Sequence, residues 1–163
     1  SNAPVVSAAY ESQMTIWSAR MGHSHILKHG AGWIEGGLCA SFEKVIIDAE
    51  MLQMMAQFFQ PLEVTEETMG LDAMKEVGPG GHFFGAAHTM SRYETAFYNP
   101  MLSDWRNIEN WQDDGSQTAT ERAHKIYRQL LEDYVEPPMD PAITEEMAAF
   151  VAKRKEEGGA PAD

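Results

Sequence analysis

The chain has 163 residues with 25 acidic and 12 basic side chains, a formal net charge of −13. A surface this acidic repels phosphate backbones, which excludes nucleic acid as a partner, and no apolar run is long enough to cross a bilayer. The single cysteine, Cys39, excludes an intramolecular disulfide and agrees with a cytoplasmic setting.

Ser1, Asn2 and Ala3 read as the scar of a removed expression tag. The first predicted helix covers residues 7–21, with Ser7 as its cap and Tyr10, Met14, Trp17 and Met21 at helical spacing. For residues 23–29, periodicity leaves buried strand and helix tail both open. The run Gly30-Ala31-Gly32-Trp33-Ile34-Glu35-Gly36-Gly37 predicts a glycine-rich loop, whose permissive backbone suits the mouth of a site. Ser41 caps a strong helix ending near Phe59. Its predicted apolar face carries Phe42, Val45, Ile46, Ala49, Leu52, Met55 and Phe59, with Glu43, Lys44, Asp48 and Gln57 on the other side.

Thr65 caps a shorter helix that ends at Gly78-Pro79-Gly80-Gly81. Residues 82–100, rich in aromatics and histidines, predict a loop with a short helix, and another short helix follows over residues 103–111. Thr118 and Glu121 form a capping box for a helix with Ala123, Ile126, Tyr127, Leu130 and Tyr134 on one side. Asp140 with Pro141 opens the last helix, which carries Ile143, Met147, Phe150 and Val151. The fold class is mainly α, with one or two short strands near residues 24–29 and 81–85, and a disordered tail over residues 156–163.

Few residues point to chemistry. The six histidines come without an HExxH or CxxC pattern, so no metal site is expected. Cys39 reads as a small buried packing residue. Residues 78–81 lack the Lys-Ser/Thr pair of a phosphate loop and read as a sharp chain reversal. Trp33 and Glu35, set among glycines, are more telling. A quaternary ammonium is held by aromatic faces and a nearby carboxylate, and Trp33, Phe83 and Phe84 can supply the faces.

Three stretches carry a resemblance: Ala9-Tyr10-Glu11 with the run from His29 to Leu38; Ser41-Phe42-Glu43-Lys44 with Asp48-Ala49-Glu50; and Glu76-Val77-Gly78-Pro79-Gly80-Gly81-His82-Phe83-Phe84-Gly85 with His88-Thr89 and the region from Phe97 to Pro100. In order and spacing they resemble the C-terminal third of the trimethylamine methyltransferase family. The resemblance implies a C-terminal fragment of a (β/α)8 TIM barrel over residues 4–100, with a helical C-terminal extension over residues 101–155. A complete barrel needs roughly 250 residues, so a piece of this length is expected to be inactive alone. The implied reaction moves a methyl group from a tertiary or quaternary amine, such as trimethylamine or glycine betaine, to the Co(I) of a corrinoid protein. The corrinoid is carried by that partner, with no cofactor bound directly. Archaeal members carry pyrrolysine upstream of the matched segment, so this sequence does not say which branch it belongs to. Trp33, Glu35, His82 and Phe83 are the expected substrate contacts, and a homo-oligomer is expected because an incomplete barrel leaves open edges. The alternative is a non-catalytic helical scaffold or protein-interaction module derived from that family.

Overall fold

The computed structural model describes residues 1–159 and is mainly helical. The chain divides into two units, Ser1–Gln129 and a second from Leu130 onward. No helix among the described residues is long and apolar enough to cross a membrane.

Helix α1, Val6–Met21, starts after Val5 with no side-chain cap, so Ser7 lies inside its first turn rather than capping it. Its buried residues are Ala8 and Ile16, while Tyr10, Met14 and Met21 of the predicted face are exposed. The expected glycine-rich loop contains a short hairpin. Strand β1, Trp33–Ile34, pairs antiparallel with β2, Cys39–Ala40, placing Trp33 opposite Ala40 and Ile34 opposite Cys39. The strands are therefore displaced from the expected positions, since residues 24–29 and 81–85 are turns and irregular chain. An aromatic followed by a β-branched residue is a strand-forming pair, and the surrounding glycines hid it.

Helix α2, Phe42–Phe58, begins as expected, with the Ser41 side chain accepting the Lys44 N–H. Its faces follow the prediction in part: Ile46 and Met55 are buried and Gln57 is exposed. Lys44 and Asp48, placed on the solvent side by their charge, are each only 1% exposed, whereas Phe42 and Val45 are exposed. Two opposite sides of this helix are covered. On one side Ile46 joins Leu102 and Ala123 in the core, with Ile47, Ile126 and Tyr127 packed against them. On the other, Lys44 Nζ lies 2.5 and 2.6 Å from the Asp48 carboxylate oxygens and 2.6 Å from Ser12 Oγ of α1. Opposite charges that satisfy each other can leave water together. The Glu50 carboxylate is also buried and accepts the N–H groups of Leu102 and Ser103.

The single helix predicted after Thr65 is two, α3 Glu66–Met69 and α4 Leu71–Val77, because Gly70 turns left-handed between them. Helix α5 is Ala87–Met90. Helix α6 is Ile108–Asp113, capped by Asn107, and not the expected 103–111. The Asp104 carboxylate accepts the Arg106 N–H and Nε–H at 3.1 and 2.9 Å, a local turn that competes with helix over those residues. Helix α7, Ala119–Glu132, starts with the predicted exchange: the Thr118 N–H donates to Glu121 at 2.7 Å and the Glu121 N–H to Thr118 Oγ1 at 3.3 Å.

In the second unit, α8 spans Pro141–Glu156, and Asp140 Oδ1 accepts the Ala142 N–H at 2.9 Å. Ile143, Met147, Phe150 and Val151 of its apolar stripe are exposed. Residues 160–163 of the expected disordered tail lie outside the described residues.

Candidate functional site

A groove of about 640 Å³ opens in the larger unit. One wall is α1, where Ala8, Ser12, Thr15 and Ala19 recur at helical spacing and keep the wall low, with Glu11 beside them. The other wall is the segment running through Lys28, His29 and Gly30 into the hairpin residues Trp33 and Glu35. Trp33 is 42% exposed, and the His29 ring meets it edge-on at 5.6 Å.

The hairpin reaches this position because Gly32 is fixed at both ends of its residue. Its N–H donates to Asp48 Oδ2 at 2.8 Å, and its carbonyl accepts the Ser41 N–H at 2.9 Å. Glu35 then takes a left-handed φ of 52°, which turns the chain back toward β2. Its carboxylate accepts from Cys39 Sγ at 3.2 Å. That hydrogen bond, then the Glu35 charge and then burial hold the Cys39 thiol above its ordinary pKa. Cys39 is exposed, not the buried packing residue expected from composition. With its thiolate disfavoured, it makes a poor nucleophile.

Glu11 contributes a second carboxylate. The Ser1 α-ammonium donates to Glu11 Oε2 at 2.7 Å, and the Ser1 carbonyl accepts the Glu35 N–H at 2.8 Å. Glu11 is not among the expected substrate contacts. Its signal was the row of small side chains on α1, which marks a helix face held open.

The structure brings Trp33 and Glu35 to one groove. His82 and Phe83 are not among its lining residues. They follow the reversal at residues 78–81, where the His82 ring lies 5.6 Å from that of Phe84 and Phe83 is exposed. Among the described residues no group of three or more His, Cys, Asp or Glu side chains gathers as a metal site.

A family profile described as trimethylamine methyltransferase (MTTB) matches residues 1–159. The chain is 36% identical over 152 residues to a glycine betaine methyltransferase of Desulfitobacterium hafniense, covering 93% of this chain and 32% of that protein. It is 27% identical over 159 residues to the trimethylamine methyltransferase MttB of the same species, covering 98% of this chain and 32% of the relative. It is 30% identical over 152 residues to MttB1 of Methanosarcina mazei, covering 92% and 30%. The chain spans about a third of the length of the curated relatives it matches.

Proposed function

The chain belongs to the trimethylamine methyltransferase family, and from that membership we propose that the whole protein demethylates a small tertiary or quaternary amine of the trimethylamine or glycine betaine kind. The methyl group passes to a separate corrinoid protein in the cytoplasm. The observation that supports this reading is the groove in which Trp33, Glu35 and Glu11 stand together.

An aromatic face and carboxylates lining an open groove suit a methylated ammonium. A quaternary amine loses its methyl group to leave a neutral tertiary amine, and a tertiary amine held as its ammonium ion leaves a neutral secondary amine, so in either case the protein needs no general base. The demand on this chain is to bind the cation, exclude water and align one methyl group. Trp33 offers its face, and Glu35 and Glu11 offset the positive charge. The hairpin and α1 form the walls that keep water from the reacting carbon. This donor set suits the amine and not a corrinoid, which supports leaving the corrinoid on its partner. When bound, the corrinoid supplies the Co(I) nucleophile. The relatives' greater length leaves room for the (β/α)8 barrel, which requires roughly 250 residues. The hairpin would then stand at the barrel mouth.

The test uses the full-length protein. Trp33→Leu removes the π face, worth about 0.5–2 kcal/mol, and is expected to weaken amine binding roughly two- to thirtyfold. Glu35→Gln is expected to weaken binding as well. Both variants should keep the parent melting temperature. Variants that melt early yet bind the amine normally would make these residues structural and remove the site. The 163-residue chain alone should give no demethylation with a reduced corrinoid protein.

A further inference from the structure

We propose that Asp48 is a positioning residue for the amine groove: through its bond to the Gly32 N–H it sets where the Trp33 ring stands. This inference rests on reading the Trp33 groove as the amine site.

The geometry runs in one line from the middle of α2 to the groove. Lys44 has three N–H donors, and each finds an acceptor: the two Asp48 oxygens and Ser12 Oγ, all at 2.5–2.6 Å. Ser12 is itself part of the α1 wall. Asp48 Oδ2 accepts a further bond from the Gly32 N–H at 2.8 Å, and Gly32 precedes Trp33. The Ser41 N–H holds the other side of the same residue, at the Gly32 carbonyl. Gly32 is buried with a φ of +88°. The residue before Trp33 is therefore held at both of its peptides, by Asp48 of α2 at its N–H and by Ser41, the α2 cap, at its carbonyl.

Stability alone is a weak reason for this arrangement. A buried ion pair is commonly no better for stability than a packed apolar pair of the same size. An apolar pair would leave the Gly32 N–H without an acceptor. What Asp48 supplies is an oxygen aimed at the Gly32 N–H, while Lys44 offsets its buried charge. A carbonyl oxygen at the same place would do the same work, which separates the positioning role from the charge.

The experiment uses the 163-residue chain labelled with 5-fluorotryptophan, which has four fluorine sites: Trp17, Trp33, Trp105 and Trp111. Trp33→Leu removes one resonance and so assigns it. Asp48→Ala deletes the acceptor for Gly32. The expected result is a shifted or broadened Trp33 resonance, three unchanged resonances, and tetramethylammonium binding weakened roughly two- to thirtyfold, the loss of one cation–π contact. The double variant Lys44→Met with Asp48→Asn removes both charges but keeps an amide oxygen for the Gly32 N–H. It is expected to restore the Trp33 resonance and to bind tetramethylammonium within about twofold of the parent, a difference under the tenfold that 1.4 kcal/mol represents. The proposal is overturned if Asp48→Ala leaves the Trp33 resonance in place. It is equally overturned if the double variant displaces that resonance as far as Asp48→Ala does, or if all four resonances move together in both variants. Unchanged binding in Trp33→Leu would instead sink the amine-site reading. The fluorine spectrum would still report whether Asp48 controls Trp33.

Discussion

A methyl group added at Gly32 would test the hairpin anchor at its tightest point. A Cβ built there meets Val45 Cγ2 at 2.5 Å, with Ser41 O and Val45 Cβ both at 3.7 Å behind it. Val45 sits on α2, where a β-branched side chain has essentially one rotamer, so it cannot swing away cheaply. The backbone at Gly32 also has a positive φ, which costs an L-residue about 1–2 kcal/mol. Overpacking against Val45 adds about 1–3 kcal/mol, so Gly32→Ala should destabilise the larger unit by about 2–5 kcal/mol. At a urea m-value of about 2 kcal/mol per M, the midpoint should fall by about 1–2.5 M. Gly36→Ala is the internal control. It shares a positive φ of 64° but has nothing within 4 Å of the added Cβ, so about 1 kcal/mol is expected. The double variant Gly32→Ala with Val45→Ala should recover most of the steric part, since Val45 is 40% exposed and its own truncation is mild. Equal losses at Gly32 and Gly36, or no recovery in the double variant, would refute the close approach of the hairpin to α2.

Three further outcomes are expected. Replacing Glu35 with Ala removes both the hydrogen bond and the charge that hold the Cys39 thiol up, so alkylation of Cys39 at neutral pH should accelerate severalfold, and an unchanged rate would deny the Sγ–Oε2 contact. The Glu43 carboxyl lies below its ordinary pKa, first because the His124 ring bonds to it at 2.9 Å. A depressed folded pKa stabilises above the unfolded carboxylate value of about 4.3 and is lost as pH falls through the folded value, so the stability gap between parent and Glu43→Gln, under about 1 kcal/mol for a surface pair, should narrow as the pH is lowered below the unfolded value in urea titrations. Exposed Tyr10, Met14 and Met21 on α1, and Ile143, Met147 and Phe150 on α8, should drive self-association, and light scattering that shows only monomer at high concentration would count against it.

Much of the local structure was legible because it follows from short-range bonds. The Ser41 cap, the Thr118–Glu121 exchange and the Asp140-Pro141 start all lie where their residue types place them. What stayed hidden depends on groups far away in sequence. Lys44 and Asp48 look like a solvated face until Ser12 and Gly32, 32 and 16 residues away, come to meet them. The helix expected over residues 103–111 starts later because Asp104 bonds back to Arg106, a local competition that charge pattern alone does not rank. Trp33 and Glu35 could be paired from their shared loop. Their facing wall needed the fold, and Glu11 acquired meaning only when α1 was seen across the groove.

Asp48 and Glu50 both hold main-chain amides: Asp48 that of Gly32, Glu50 those of Leu102 and Ser103. Every residue except proline has such an amide, so an anchor of this kind is blind to the side chain it carries. Substitutions at residues 33–35 or 101–103 therefore leave the splint intact as long as no proline enters at the bonded amides and Gly32 stays small. A scaffold of this type lets the side chains it carries change in small steps without re-founding the fold each time.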